Sequence, residues 1–175
     1  MDLSAFYGAF SPACFALLGL WLVAVQVRLP VWEKDPERRR RSYGVALHFA
    51  LPGLMSMFAL IDLQTSVFWR VSFGIVAVSG VVIMALVRSY PVAPRRDDTG
   101  RRPLPGADRL GLAAYAAAIV LYVLIGVLAV RGGLEALRTE AVLQTLLVFL
   151  GFNVAWLLLL DDTMAASPRP HARAE

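Results

Sequence analysis

Six polar side chains stand inside otherwise apolar runs of this sequence: Gln26, His48, Asp62, Arg70, Gln144 and Asn153. A polar or ionisable group held in hydrocarbon is costly, so each needs a partner, a route to water or a function. His48 is the one that can take up and release a proton near neutral pH. At about 100° per residue it shares a helical face with Pro52, Met55, Ala59 and Asp62. Pro52 has no amide hydrogen, and its ring clashes with the carbonyl four residues earlier, which belongs to His48 itself. One position therefore offers an imidazole and a released carbonyl. That face is expected to look into protein or a water-filled cavity. The plainer reading is a kinked helix whose polar groups are satisfied by a neighbouring serine or a buried water.

The other five are read by position. Gln26 and Asp62 lie near the ends of apolar runs, within reach of water, and Arg70 is early enough in its run to extend outward. Asp62 and Arg70 flank one short polar turn, a spacing that predicts an ion pair between them. Gln144 and Asn153 fall on opposite sides of one helix, and each is expected to bond a neighbouring helix for about 1 kcal/mol or less. Pro12 repeats the proline device on a stripe shared by Ser4, Gly8, Ser11, Gly19 and Gln26, whose small residues predict a helix–helix contact.

Nucleophilic, metal and cofactor chemistry find little support. No phosphate-binding glycine loop, His-Glu-x-x-His motif, paired cysteines or dinucleotide fingerprint occurs in the chain. Ser79-Gly80 only partly matches the glycine-flanked serine of an intramembrane protease, and close helix approach is the expected role of the pair. Two axial imidazoles for a haem would have to come from His48 and the tail residue His171, or from two copies of the chain. Cys14 is the lone cysteine and reads as a small apolar packer. The expectation is therefore no catalytic residue, no metal, no cofactor and, on balance, no enzyme.

The elements that must position these groups are long apolar helices. Of the 175 residues 58% are hydrophobic and 17% charged, and the charges gather in short blocks between apolar runs close to the roughly 20 residues that cross a bilayer. The predicted fold is an all-α, polytopic membrane bundle with five transmembrane helices, at about 3–29, 43–63, 67–87, 110–130 and 141–160. These form one domain over 1–163, followed by a disordered cytoplasmic tail over 164–175. The run Arg38 to Arg41 is read as part of a solvated loop. Three residues between the second and third spans force an antiparallel hairpin. A turn of amphipathic helix is expected from Leu134, with Leu137 towards lipid headgroups and Glu135 paired to Arg138.

Orientation follows from the basic loops. Arg28, Lys34, Arg38 to Arg41, Arg88, Arg95, Arg96, Arg101, Arg102, Arg109, Arg169 and Arg173 fall on one side of the five spans, and only Arg70, Arg131 and Arg138 on the other. The richer side should be cytoplasmic, with the N-terminus outside and the C-terminus inside. On the same side Asp161 and Asp162, at the negative end of a helix dipole, are expected to meet arginines such as Arg38 to Arg41. A bacterial plasma membrane is the expected location, and the near-exclusion of lysine in favour of arginine is compatible with a GC-rich genome. Nucleic acid is not expected as a partner, because the basic loops lack interleaved aromatics. The expected partners are the lipid bilayer and either further copies of the chain or another membrane protein. For function, the leading expectation is a small channel or transporter component with a polar path near His48. The alternative is a non-catalytic membrane partner or assembly factor.

Overall fold

The structure is a computed structural model that describes residues 2–32, 35–61, 66–89 and 105–165. Over these the chain forms five α-helices and no strand: α1 (Leu3–Trp32), α2 (Pro36–Ile61), α3 (Ser66–Ser89), α4 (Pro105–Arg131) and α5 (Leu134–Ala165). Each contains a stretch long and apolar enough to cross a membrane. The tail from 166 onward, Tyr90, Asp62 and the side chains of Asp161 and Asp162 lie outside the described residues. The expectations of an Asp62–Arg70 pair and of arginine partners for the two C-terminal aspartates fall there.

Local chemistry fixes the helix ends. Asp2 accepts hydrogen bonds from the amides of Ser4 and Ala5 and so caps α1. Asp35 does the same for α2, taking the Arg38 amide at 3.3 Å, and Pro36 follows in the first helical position, where its missing amide costs nothing. Two boundaries differ from expectation for this reason. Arg38 to Arg41 are not loop but the first turns of α2, because Asp35-Pro36 starts the helix before them. Likewise α4 begins at Pro105, five residues before the apolar run at Leu110. The α4–α5 turn is made by Gly132 and Gly133, both at positive φ (70° and 94°), which a residue with a Cβ adopts at a cost.

Helices α2, α3, α4 and α5 pack in a closed ring of neighbours, and α1 lies on the outside of α2 with a small contact to α5. α2 is the most enclosed, with 61% of its most apolar stretch buried against 17% for α1. Close approach follows from small residues. A Cβ on Gly80 of α3 would stand 2.7 Å from the Tyr122 ring of α4, and one on Gly53 of α2 would stand 3.1 Å from the Cys14 Cβ of α1. Cys14 is thus a buried packer.

Three packing expectations need correction. On α1 the buried residues are Tyr7, Ser11, Cys14, Trp21 and Trp32, while Ser4, Gly8, Gly19 and Gln26 are exposed. Large side chains fill the groove of α2 better than the small-residue stripe does, and Ser11 is the one position the two faces share. The turn at Leu134 is continuous with α5, and Leu137 is buried instead of facing headgroups. Its place in the main apolar cluster beside Trp69 and Phe73 removes it from water. Glu135 does pair with Arg138, at 2.6 Å.

Candidate functional site

The polar groups that matter converge on the seam between α2 and α5. His48 is 3% exposed, and its face partners Pro52, Met55 and Ala59 are buried with it. The His48 Nδ1 lies 2.7 Å from the Gly44 carbonyl. A carbonyl only accepts, so Nδ1 carries the hydrogen and the neutral ring presents a lone pair at Nε2. That Nε2 is buried with no hydrogen-bond partner. Gly151 of α5 stands directly against His48: a Cβ there would collide with the His48 Cβ, so the absence of a side chain at 151 lets α5 close over the imidazole.

Two turns along, Ser56 of α2 meets Gln144 of α5, both fully buried. The Ser56 hydroxyl lies 2.9 Å from the Pro52 carbonyl and 3.0 Å from Gln144 Oε1. It has one hydrogen for two acceptors. With the Gln144 amide turned over, Nε2 donates to Ser56 Oγ while Ser56 donates to Pro52, and both contacts are satisfied at once. In either orientation one amide atom of Gln144 faces the interior unpaired. Nearby, Ser11 of α1 donates to the Gly53 carbonyl at 3.2 Å.

One turn before Gln144 on the same face is Glu140, 0% exposed, with neither carboxylate oxygen partnered. The Tyr7 hydroxyl of α1 donates to the Leu137 carbonyl at 3.1 Å, one turn further towards the Gly132-Gly133 end. Around them Tyr7, Trp69 and Phe73 make edge-to-face ring contacts. Tyr122 of α4, whose hydroxyl is also buried and unpartnered, sits ten residues before Gly132. Gln144 sits eleven after Gly133, so the two share a depth about 15 Å from the turn.

The remaining sequence candidates stand apart. Gln26 is exposed on α1. Arg70 caps α4: its Nε donates to the Ala129 carbonyl at 2.8 Å and its Nη2 to that of Val130. Asn153 does not bond a neighbouring helix. It is exposed, and its Nδ2 donates at 2.7 Å to the Phe149 carbonyl of its own α5. A short amide side chain on the outer face has that i−4 carbonyl within reach and no other helix of its own chain facing it. Among the described residues no group of three or more His, Cys, Asp or Glu could hold a metal ion.

Sequence reasoning missed Glu140, Ser56, Tyr7 and Tyr122. Beginning the fifth span at Ala141 left Glu140 one residue outside it. The signal that could have found it is the four-residue spacing to Gln144, which puts two polar groups on one face of an apolar helix.

No family model, no curated protein and no solved structure matches this chain.

Proposed function

We propose that the chain is a small membrane transport protein that moves protons, with a path along the α2–α5 seam through Glu140, Gln144 with Ser56, and His48. The observation that carries this reading is the set of buried, unpartnered polar atoms on that seam: both oxygens of Glu140, one amide atom of Gln144 and Nε2 of His48. Buried polar groups that serve only packing are almost always paired. An uncompensated carboxylate away from water costs several kcal/mol, and a bound proton removes that cost. A carboxyl group and an imidazole are the side chains that bind and release protons under ordinary conditions, and an amide–hydroxyl pair between them supplies donors and acceptors. Glu140 and Gln144 are one helical turn apart, about 6 Å along the axis, whereas the step from Gln144 to the level of Gly151 and His48 is about 10 Å. The longer step needs a bridging water or a side-chain swing.

The chain sits in this reading in a plasma membrane, of a bacterium by composition, with the N-terminus and the Gly132-Gly133 turn outside. Tyr7 and Glu140 then face the outer end and His48 the inner half. The test is proton flux into liposomes holding the purified protein, followed with an entrapped pH dye under a potassium-diffusion potential. Wild-type protein and the exposed-site control Gln26→Leu should leak protons faster than empty liposomes. Glu140→Gln and His48→Gln should bring the rate down at least tenfold. Equal flux in wild type and Glu140→Gln would end the proposal.

A further inference from the structure

Helix α5 carries a second pattern, on the side away from the seam. Val142, Phe149 and Trp156 recur every seven residues, and Leu146, Asn153 and Leu160 recur every seven residues between them. All six are exposed, among them Phe149 at 65% and Trp156 at 57%. Steps of alternately four and three residues are the a and d positions of a heptad repeat, the spacing by which one helix seats against another for several turns. An apolar outer face alone would be explained by lipid. Asn153 is not, because an amide projecting into hydrocarbon has donors and acceptors to satisfy, and its bond to the Phe149 carbonyl uses only one hydrogen. The exposed Thr145, by contrast, spends its single hydroxyl hydrogen on the Ala141 carbonyl of its own helix.

We infer that a second copy of this chain docks on this face, with the two α5 helices parallel and the Asn153 side chains hydrogen-bonded to each other across a two-fold axis. Three features select this occupant. An amide complements itself, since each copy offers an N–H donor and a carbonyl acceptor. In a parallel pair equal a positions face one another, so a single a-position asparagine meets its own copy and fixes the register. Two copies inserted in the same orientation can be related only by an axis along the membrane normal, which makes equivalent helices parallel. The seam of Glu140 and His48 lies on the opposite side of α5, so the interface is independent of the transport reading.

The experiment uses full-length protein in native membranes with Cys14→Ser as background and one new cysteine at a time. Asn153→Cys, Phe149→Cys and Trp156→Cys should give disulfide-linked dimers on mild oxidation. Val120→Cys on α4 and Ile75→Cys on α3, equally exposed, should not. In a fluorescence-transfer titration of labelled protein in vesicles, Asn153→Leu should weaken dimerisation by about three- to thirtyfold, while Asn153→Gln should keep most of it. These side chains lie on the surface, so the fold survives the changes. Crosslinking that is absent from α5 or equal on all three helices shows lipid, not a second copy, against this face. Dimerisation unchanged or strengthened by Asn153→Leu likewise overturns the pairing.

Discussion

His48 concentrates the problem of separating a packing residue from a working one. Its Nδ1 hydrogen is committed to the Gly44 carbonyl, and its Nε2 is left with nothing to accept from. A residue selected for packing alone would serve equally well as a glutamine, whose amide can reach the same carbonyl. His48→Gln should therefore unfold within a degree or two of wild type while losing flux, and His48→Leu should lose about 1 kcal/mol of stability as well. Thermal unfolding in mild detergent and the liposome assay read the two effects separately, and a His48→Gln protein with full flux would make the imidazole structural. The helical-face reading of Pro52, Met55 and Ala59 was legible because period alone decides it. Glu140 was not, since hydropathy sees a charge at the margin of an apolar run and cannot tell whether a neighbouring helix end covers it. Only the position of Tyr7 over the Leu137 carbonyl shows that α1 closes that corner.

At the scale of elements, Arg70 joins two helices that do not share a seam with His48. Its guanidinium donates to the Ala129 and Val130 carbonyls, two of the acceptors that α4 leaves unpaired at its C-terminus, and its charge complements the negative end of the helix dipole. A Cβ on Gly132 would stand 3.0 Å from Arg70 Nε, so the glycine turn and the arginine cap need each other. Arg70→Lys should recover only part of the about 1–3 kcal/mol that Arg70→Leu costs the fold, because a single ammonium nitrogen cannot reproduce the fixed Nε and Nη2 geometry that reaches the two carbonyls. A chemical-denaturation midpoint unchanged in Arg70→Leu would show that the turn holds α4 unaided. Apolar runs near twenty residues were enough to read the number of helices and their order. Helix ends were read less well, as Asp35-Pro36 and Pro105 show: capping carries the helix past the apolar run into charged sequence that hydropathy assigns to loops. The face of α1 was misread for a different reason. Small residues and large ones both lie at helical spacing there, and only the groove of α2 decides which set fits.

Over the whole molecule, the fold sorts the chain into two ends. The first turns of α1, the C-terminus of α4 with its Arg70 cap, and the Gly132-Gly133 turn gather at one end, as the contacts Tyr7–Leu137 and Arg70–Ala129 require. Trp21 and Trp32 pack together towards the other end, where the Trp21 indole donates to the Ser42 carbonyl. Within the described residues the basic run of Arg38 to Arg41 belongs to that second end, because it forms the first turns of α2 beside Asp35. Arginine close to the end of a membrane-spanning helix resists passage across the bilayer, so the second end should remain in the cytoplasm and the first should be exported. A phosphatase reporter, active only after export, should therefore be active when inserted between Gly132 and Gly133 and silent when fused after Glu175. A reporter fluorescent only in the cytoplasm should give the reverse. Inverting the outcome at both sites would turn the protein over and carry Tyr7 and Glu140 to the cytoplasmic face. Equal signals at both sites would mean that α5, the one described helix between them, does not cross the bilayer. Replacing Arg38 to Arg41 by glutamine should weaken the bias measurably, since that run is the densest positive charge anywhere in the chain.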